Sequence, residues 1–287
     1  MLLFISMKYL RSIIFFVVDK KTSLAFGFVL YNPEQSSYAR IRLLNDLGYR
    51  IYIYDNSPDT CDVGLGCRNL PHVDYITAGK NLGLGVALST VCAQAYYDSF
   101  ENVLFFDQDT IFNKKTVSFI QNFINKDLRK FRDKYVAITF ESSGVDRISE
   151  SEPCEILDTD LTINSGSLFV LNNLKSIGWH NEKYFVENVD YEMCVKADAK
   201  GLKIGRCITT PGFDHVSEQP GKLSKVFGME LMLRKYPFSR VVDTIKSSMK
   251  LIFSSITSGQ LRFSIKIIRS LLISIYGQIL ALIIIKK

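Results

Sequence analysis

Residues 102–110 read NVLFFDQDT, and the reading of the fold turns on the change of character at Asp107. Val103 to Phe106 is an unbroken apolar run, the pattern of a strand covered on both faces as in a parallel sheet. It then delivers two carboxylates, Asp107 and Asp109, two residues apart. Isolated charges at the end of a buried strand are costly unless paired or bound to a metal, so the pair is a candidate site for a hard divalent cation, Mg²⁺ or Mn²⁺. The bland alternative is a solvated turn or an N-cap for the next helix.

The same pattern recurs towards the N-terminus. LAFGFVL (24–30) is a second apolar run, stopped by Asn32 and Pro33, and YRIYIYDNS (49–57) is a β-rich segment ending in the turn formers Asp55, Asn56 and Ser57. Between them Ile41, Leu44 and Leu47 recur at helical spacing and Gly48 closes the helix. VDYIT (73–77) and a helix over 84–97 complete the approach to residue 102. Strand, helix, strand in this order predicts βαβ units with right-handed crossovers in an α/β sheet. In such sheets ligands bind beyond the carboxyl ends of the strands, where Asp55 and Asp107 both fall. After Tyr135, YVAITF, TINSGSLFVL and LKIGR are strand-like. They are separated by a loop rich in serine and acids (141–160) and a helix near 190–199.

The bulk values bound the function. Hydrophobic residues at 47% and charged residues at 22% are globular values. The formal charge of +6 sits in the tail: residues 240–287 carry eight Lys and Arg against the single acid Asp243. The remainder is close to neutral, with no basic stripe interleaved with aromatics, which excludes a nucleic-acid interface on the body. An anionic membrane surface suits the tail better. Its uncharged stretch 270–285 is shorter than the roughly 20 residues that span a bilayer, while Ile268, Leu271, Leu272, Ile275, Ile279 and Leu282 keep helical spacing, as in an in-plane amphipathic helix. A helix docked on the body or on a second subunit is the alternative, and it leaves a homo-oligomer open. The six cysteines form no CxxC pair and read as free thiols in a reducing, cytosolic compartment. Three histidines are too few for a His-rich zinc site. The apolar stretch near residues 12–18 reads as an extra element before the core, with a secretory signal as the alternative.

Three further clusters carry chemistry. Asp55 in YDNS could accept hydrogen bonds from a base or a ribose hydroxyl, or simply form an Asx turn. AGKNLGLG places Asn81, Gly83 and Gly85 ahead of a helix, letting backbone approach a nucleotide. FVENVDYEMC places Glu187, Asp190 and Glu192 at a helix start, where acids also serve as capping charges. Glu187 and Asp190 share a face and offer a general base with a second carboxylate beside it. His215, in GFDHVS, is a loop histidine or a metal ligand. DQDTI also fits a phosphatase pattern with an aspartate nucleophile, but that pattern needs a later DD or GD pair, and neither dipeptide occurs.

Taken in order, VLYNP, YIYDNS, NLGLGVA, LFFDQDT, INSGSLF, YFVENVDYEMC and DHVS resemble the inverting family 2 glycosyltransferases of the GT-A fold, within them the bacterial rhamnosyltransferase-like group. The resemblance spans about residues 26–216. It implies a Rossmann-like, mostly parallel central sheet flanked by helices in a catalytic domain over 23–219; an N-terminal extension over 1–22 and a basic, amphipathic helical region over 220–287 are expected on either side of it. It implies nucleotide-sugar contacts from Asn32, Asp55, Asn56, Asn81, Gly83 and Asp107, with Ser165 and Gly166 where donor and acceptor sugars meet. Asp107 and Asp109 would hold the cation and diphosphate, and His215 would be a further metal ligand. Relatives carry a different acidic spacing at 187–190, so Asp190 is the favoured base and Glu187 its rival. Single displacement from a nucleoside diphosphate sugar to a glycan or polyprenyl-linked acceptor follows, with rhamnose from a thymidine diphosphate donor as the suggested sugar. Surface polysaccharide or O-antigen synthesis at the cytoplasmic face of the cell membrane is the expected setting. A non-catalytic, membrane-associated scaffold that binds a sugar nucleotide is the alternative.

Overall fold

In the computed structural model, which describes residues 24–59, 61–140, 155–208, 213–215, 222–226 and 229–284, the apolar runs become neighbouring strands. The N-terminal half alternates strictly: β1 (Leu24–Leu30), α1 (Gln35–Asp46), β2 (Ile51–Asp55), α2 (Asp62–Arg68), β3 (Val73–Thr77), α3 (Leu84–Tyr97) and β4 (Asn102–Asp107). There follow β5 (Thr110–Ile111), α4 (Lys114–Lys126), β6 (Tyr135–Phe140), β7 (Ile156–Thr159), β8 (Ser167–Val170), α5 (Leu171–Ser176), α6 (Val189–Ala199) and β9 (Lys203–Cys207). The chain continues through β10 (Asp214–His215), β11 (Lys222–Val226), β12 (Met229–Leu233), α7 (Phe238–Thr257) and α8 (Leu261–Ile284).

Eight strands form one sheet in the order β3-β2-β1-β4-β8-β6-β9-β7. The β3-β2, β2-β1, β1-β4 and β6-β9 pairs are parallel, while β8 and β7 run against their neighbours. Side chains alternate across the sheet with the strand period of two. Phe26, Phe28, Leu104 and Phe106 pack on one face with Ile41 of α1 and Ile120 of α4. Ala25, Val103 and Phe105 face the other side, against Leu88, Val91 and Cys92 of α3. The result is a helix-sheet-helix sandwich, which is why β1 and β4 read as continuous apolar runs rather than alternating ones.

Four differences from the sequence reading have physical causes. β11 and β12 pair antiparallel before the helices begin, so the C-terminal region is not helical throughout. TINSGSLFVL yields a strand only over Ser167–Val170, because Gly166 adopts φ +75° and breaks the extended chain before it. α2 is a seven-residue helix too short to leave a periodic signal, whereas α4 carries Val117, Ile120, Phe123 and Ile124 at helical spacing, a signal present in the sequence that the strand-centred reading passed over. Cys61, Cys67, Cys92 and Cys194 are free thiols, but Cys207 is disulfide-bonded. A disulfide needs proximity in space, which scattered spacing does not reveal. The expected N-terminal extension over 1–22 lies outside the described residues.

α3 begins where it does because two glycines, Gly83 at its N-cap and Gly85 in its first turn, let the backbone of residues 181–185 approach. A Cβ at Gly83, which has φ +90°, would lie 2.6 Å from the Phe185 carbonyl oxygen, and one at Gly85 would lie 2.6 Å from that of Tyr184 and closer still to that of Asn181. Helix propensity alone favours alanine over glycine by about 1 kcal/mol. Gly85→Ala is nevertheless expected to lose about 1–3 kcal/mol of unfolding free energy in a denaturant titration, because backbone carbonyls must move. Gly277→Ala, in α8 with no atom within 4 Å of the added carbon, is expected to be neutral or stabilising; equal effects at the two positions would contradict the packing argument.

Candidate functional site

Strand register assembles the site at one edge of the sheet. Leu30 pairs with Asp55 and Val29 with Asp107, so both acids leave the sheet beside the end of β1. β8 runs the opposite way and enters at that edge, bringing Ser165 and Gly166 next to β4. α3 and α6 each precede or follow strands of the main direction and present their N-terminal turns at the same edge. β10 pairs with β5 there, placing the backbone of His215 opposite Thr110, one residue past Asp109.

The Asp107-Gln108-Asp109 turn is fastened from three sides. The Gln108 amide accepts from Tyr31 N at 2.8 Å and donates to Tyr31 O at 3.2 Å, locking the turn to the end of β1. The Ser165 hydroxyl accepts from Asp107 N at 3.1 Å and lies 2.6 Å from Thr110 Oγ1. Arg40 of α1 and Ser37 Oγ both donate to the Gln108 carbonyl. Burial lowers the Arg40 guanidinium from its ordinary value, and the nearby Asp109 carboxylate opposes that shift. Gly166 N donates to Phe105 O at 2.8 Å, and the space a side chain at 166 would need is taken by the Phe213 ring.

Around β2 the predicted nucleotide residues are joined by hydrogen bonds. Asp55 is 1% exposed, accepting from Ser57 N at 2.8 Å and from the Tyr75 hydroxyl, so the Asx turn and the strand-end acid are one feature. Asn32, at φ +46°, donates its N–H to Ser57 Oγ. Asn56 accepts from Leu82 N at 3.1 Å and donates to Gly83 O at 3.2 Å, while Asn81 accepts from Gly83 N at 2.9 Å. The side-chain space beside Gly83 and Gly85 is occupied by residues 181–185 rather than left open.

Those residues lead into the acidic segment. Leu84 N donates to Phe185 O, and Val186 N and Glu187 N both donate to Asp243 Oδ2 of α7, at 3.3 and 3.1 Å. Asn188, at φ +64°, donates to Ser247 and Ser248 of the same helix. Glu187 accepts from Arg240 Nε at 2.8 Å. Asp190 begins α6 with one oxygen on Tyr191 N; burial, aided by the charge of Glu187, pushes its carboxyl up to about 6. Glu192 instead turns inward, accepting from Asn181 at 2.8 Å with Lys196 3.7 Å away.

No protein-family model matches the chain. A curated relative, the dTDP-rhamnosyl transferase RfbF of Shigella flexneri, is 23% identical over 189 residues, which cover 61% of this chain and 63% of that protein. The chain therefore spans somewhat less than two thirds of that relative. Among solved structures, S. aureus TarS matches 69% of this chain and 37% of its own at 18% identity and a TM-score of 0.51. GalNAc-T7, solved with UDP, GalNAc and Mn²⁺, matches 70% and 45% at 11% identity and a TM-score of 0.52. The fold is GT-A. Within the GT-A frame the chain is rhamnosyltransferase-like at the level of sequence.

Hydrogen bonds join the predicted residues in groups: Asn32 and Asp55 through Ser57, Asn56 and Asn81 through Gly83, and Asp107 with Ser165, while Leu84 ties the glycine loop to the segment that leads to Glu187 and Asp190 and the backbone of His215 pairs beside Asp109. Sequence reasoning missed the residues that hold them: Arg40 and Gln108 at the Asp107–Asp109 turn, Tyr75 behind Asp55, and Arg240 and Asp243 beneath the acidic segment. Gln108 lies inside the DQD motif, and its side chain could have been suspected; the others are distant in sequence and carry no local signal.

The Asp190 shift has a stability consequence. Its folded value, about 6, lies above the ordinary 3.8, so the folded state keeps this proton further up the pH scale. The contribution is most favourable below about pH 4 and is lost as pH rises through about 6. Asp190→Asn is therefore expected to gain about 1–3 kcal/mol relative to wild type at pH 7.5 compared with pH 4, read from denaturant curves at the two pH values. A difference that does not vary with pH would contradict the raised carboxyl.

Proposed function

We propose that the chain is an inverting glycosyltransferase that moves a sugar from a nucleoside diphosphate donor to a hydroxyl of a glycan or polyprenyl-linked acceptor. The observations that carry this reading are a fastened Asp107-Gln108-Asp109 turn at the end of β4 and, at the start of α6, a half-buried carboxyl, Asp190, raised to about 6. Rhamnose is the sugar favoured by the likeness to a dTDP-rhamnosyl transferase. Surface polysaccharide synthesis at the cytoplasmic membrane face is the setting this implies.

The donor set fits a hard cation. Among the described residues no preformed group of three or more His, Cys, Asp or Glu side chains is present. Mg²⁺ and Mn²⁺ do not require one, since they take one or two carboxylates and complete their shell with diphosphate oxygens and water. Asp107 and Asp109 would hold the ion, with His215 as the third candidate ligand. When bound, the cation neutralises charge on the departing diphosphate.

The chain's own residues account for the remaining steps. Asn56, Asn81 and Asp55 shape the loops that receive the nucleotide, and Ser165 and Gly166 line the floor beside Asp107. Asp190 accepts the proton of the acceptor hydroxyl as that oxygen bonds to the anomeric carbon and the bond to diphosphate breaks; the configuration inverts. A base with a value near 6 is ionised at neutral pH yet basic enough to share a proton in the transition state. Glu187, held by Arg240, keeps negative charge beside it.

A panel of nucleoside diphosphate sugars with Mg²⁺ or Mn²⁺ and a lipid-linked glycan acceptor tests the reading by release of nucleoside diphosphate. Turnover is expected with at least one donor, rising with pH through about 6, and Asp190→Asn is expected to keep donor binding while losing turnover by about 10²-fold or more. Binding without turnover for every donor would favour the scaffold reading. Loss of turnover in Glu187→Gln with Asp190→Asn still active would move the base to Glu187.

A further inference from the structure

Fourteen of the twenty-two large hydrophobic side chains that the described structure leaves exposed belong to α7 and α8. On α8, Leu261, Ile265, Ile268, Leu272, Ile279 and Leu282 are 40–67% exposed and recur at helical spacing, a stripe along a helix about 36 Å long. On α7, Met249, Phe253 and Ile256 continue the apolar surface. Monomeric soluble proteins rarely leave patches of this extent uncovered.

The opposite sides of α7 and α8 are seated inward. Ser247, Ser248, Leu251 and Ser255 of α7 are buried, as are Phe263, Ile267 and Ala281 of α8. Arg262 pairs with Asp198, and Lys266 with Asp160. At the far end Gln278 donates to Arg234 O and accepts from Tyr236 N. α8 is thus held to the body at its first two turns and to the segment between β12 and α7 near its end. Its length and composition alone would let it cross a bilayer, but a helix tied at these two places lies alongside a surface rather than through it.

Charge selects the occupant. From Thr244 to Lys287 the sequence has no acidic residue. Arg262 and Lys266 are engaged by body aspartates and Lys250 by the Lys183 carbonyl and the Tyr184 ring, whereas Lys246 and Arg269 are exposed on the same two helices as the apolar side chains. A second copy docked face to face would set basic residues against basic residues. An anionic bilayer offers acyl chains to the stripe and headgroup phosphates to the cations.

We propose that the exposed face of α7 and α8 docks in plane on an anionic phospholipid membrane. The same α7 holds Val186, Glu187 and Asn188 through Asp243, Ser247 and Ser248, so docking sets the acidic segment about one helix diameter, roughly 10 Å, from the lipid surface. That the substrate met there is a lipid-anchored acceptor rests on the glycosyltransferase reading; the docking itself does not.

Co-sedimentation of the full chain with vesicles of phosphatidylglycerol and phosphatidylcholine in equal parts, against phosphatidylcholine alone, tests the proposal. Binding is expected to be about tenfold or more tighter to the anionic vesicles, weakened by salt and reversed by alkaline carbonate. The double variant Phe253→Asp, Leu272→Asp, at side chains 70% and 63% exposed, is expected to lose that binding about tenfold or more while keeping its thermal midpoint and its affinity for a soluble sugar nucleotide. Absent binding by the wild type, equal binding to both vesicles, unchanged binding by the variant or retention after carbonate would each overturn in-plane anionic docking. So would a dimer, seen by light scattering, that the variant dissociates. Failure of sugar transfer with intact vesicle binding would count against the catalytic reading alone.

Discussion

The in-register parallel pairing of β1 with β2 on one side and β4 on the other is the constraint from which the site follows. It sets Asp55 and Asp107 within one residue of each other in height, opposite Leu30 and Val29 on either side of the end of β1. Neither acid could be moved by one residue without turning its neighbours out of the core, because successive side chains alternate between the two packed faces. The antiparallel entry of β8 then has only one place to put Ser165, against the backbone of Asp107.

A second set of contacts ties the loops together. From Asn56 the hydrogen bonds pass to Leu82 and Gly83, from Leu84 to Phe185, and from Val186 and Glu187 to Asp243. The segment that presents Glu187 and Asp190 is therefore positioned by both the loop after β3 and a helix from the far end of the chain. The arrangement has a cost, since Asp190 sits where burial raises its carboxyl to about 6 and Asn188 adopts a left-handed backbone conformation. Strain and raised carboxyl values of this kind are common where chemistry is done.

How much of this the sequence disclosed depends on where each signal resides. β1, β2 and β4 were legible because both of their faces are buried, which gives apolar runs, and because their ends are marked by Asp55 and Asp107. α3 was legible over its full span, Leu84–Tyr97, from its apolar positions and the glycines before it. The use of those glycines was only half legible: they admit the 181–185 backbone, a partner about a hundred residues away. β7, β11 and β12 escaped notice because short strands at an edge or in a hairpin need little apolar periodicity. Among the site residues, the motif-bearing acids could be read from spacing, while Arg40, Tyr75, Arg240 and Asp243 act through tertiary contacts that no local pattern records. The disulfide at Cys207 belongs to the same class.

The central claim is that the Asp107-Gln108-Asp109 turn binds a divalent cation together with a nucleoside diphosphate. Electron paramagnetic resonance of Mn²⁺ titrated with the protein, with and without thymidine diphosphate, tests it most directly. The account predicts that the free-ion signal is lost at stoichiometric protein only when the nucleotide is present, and that Asp109→Ala leaves the signal unchanged from nucleotide alone. Equal Mn²⁺ binding by wild type and Asp109→Ala would contradict it.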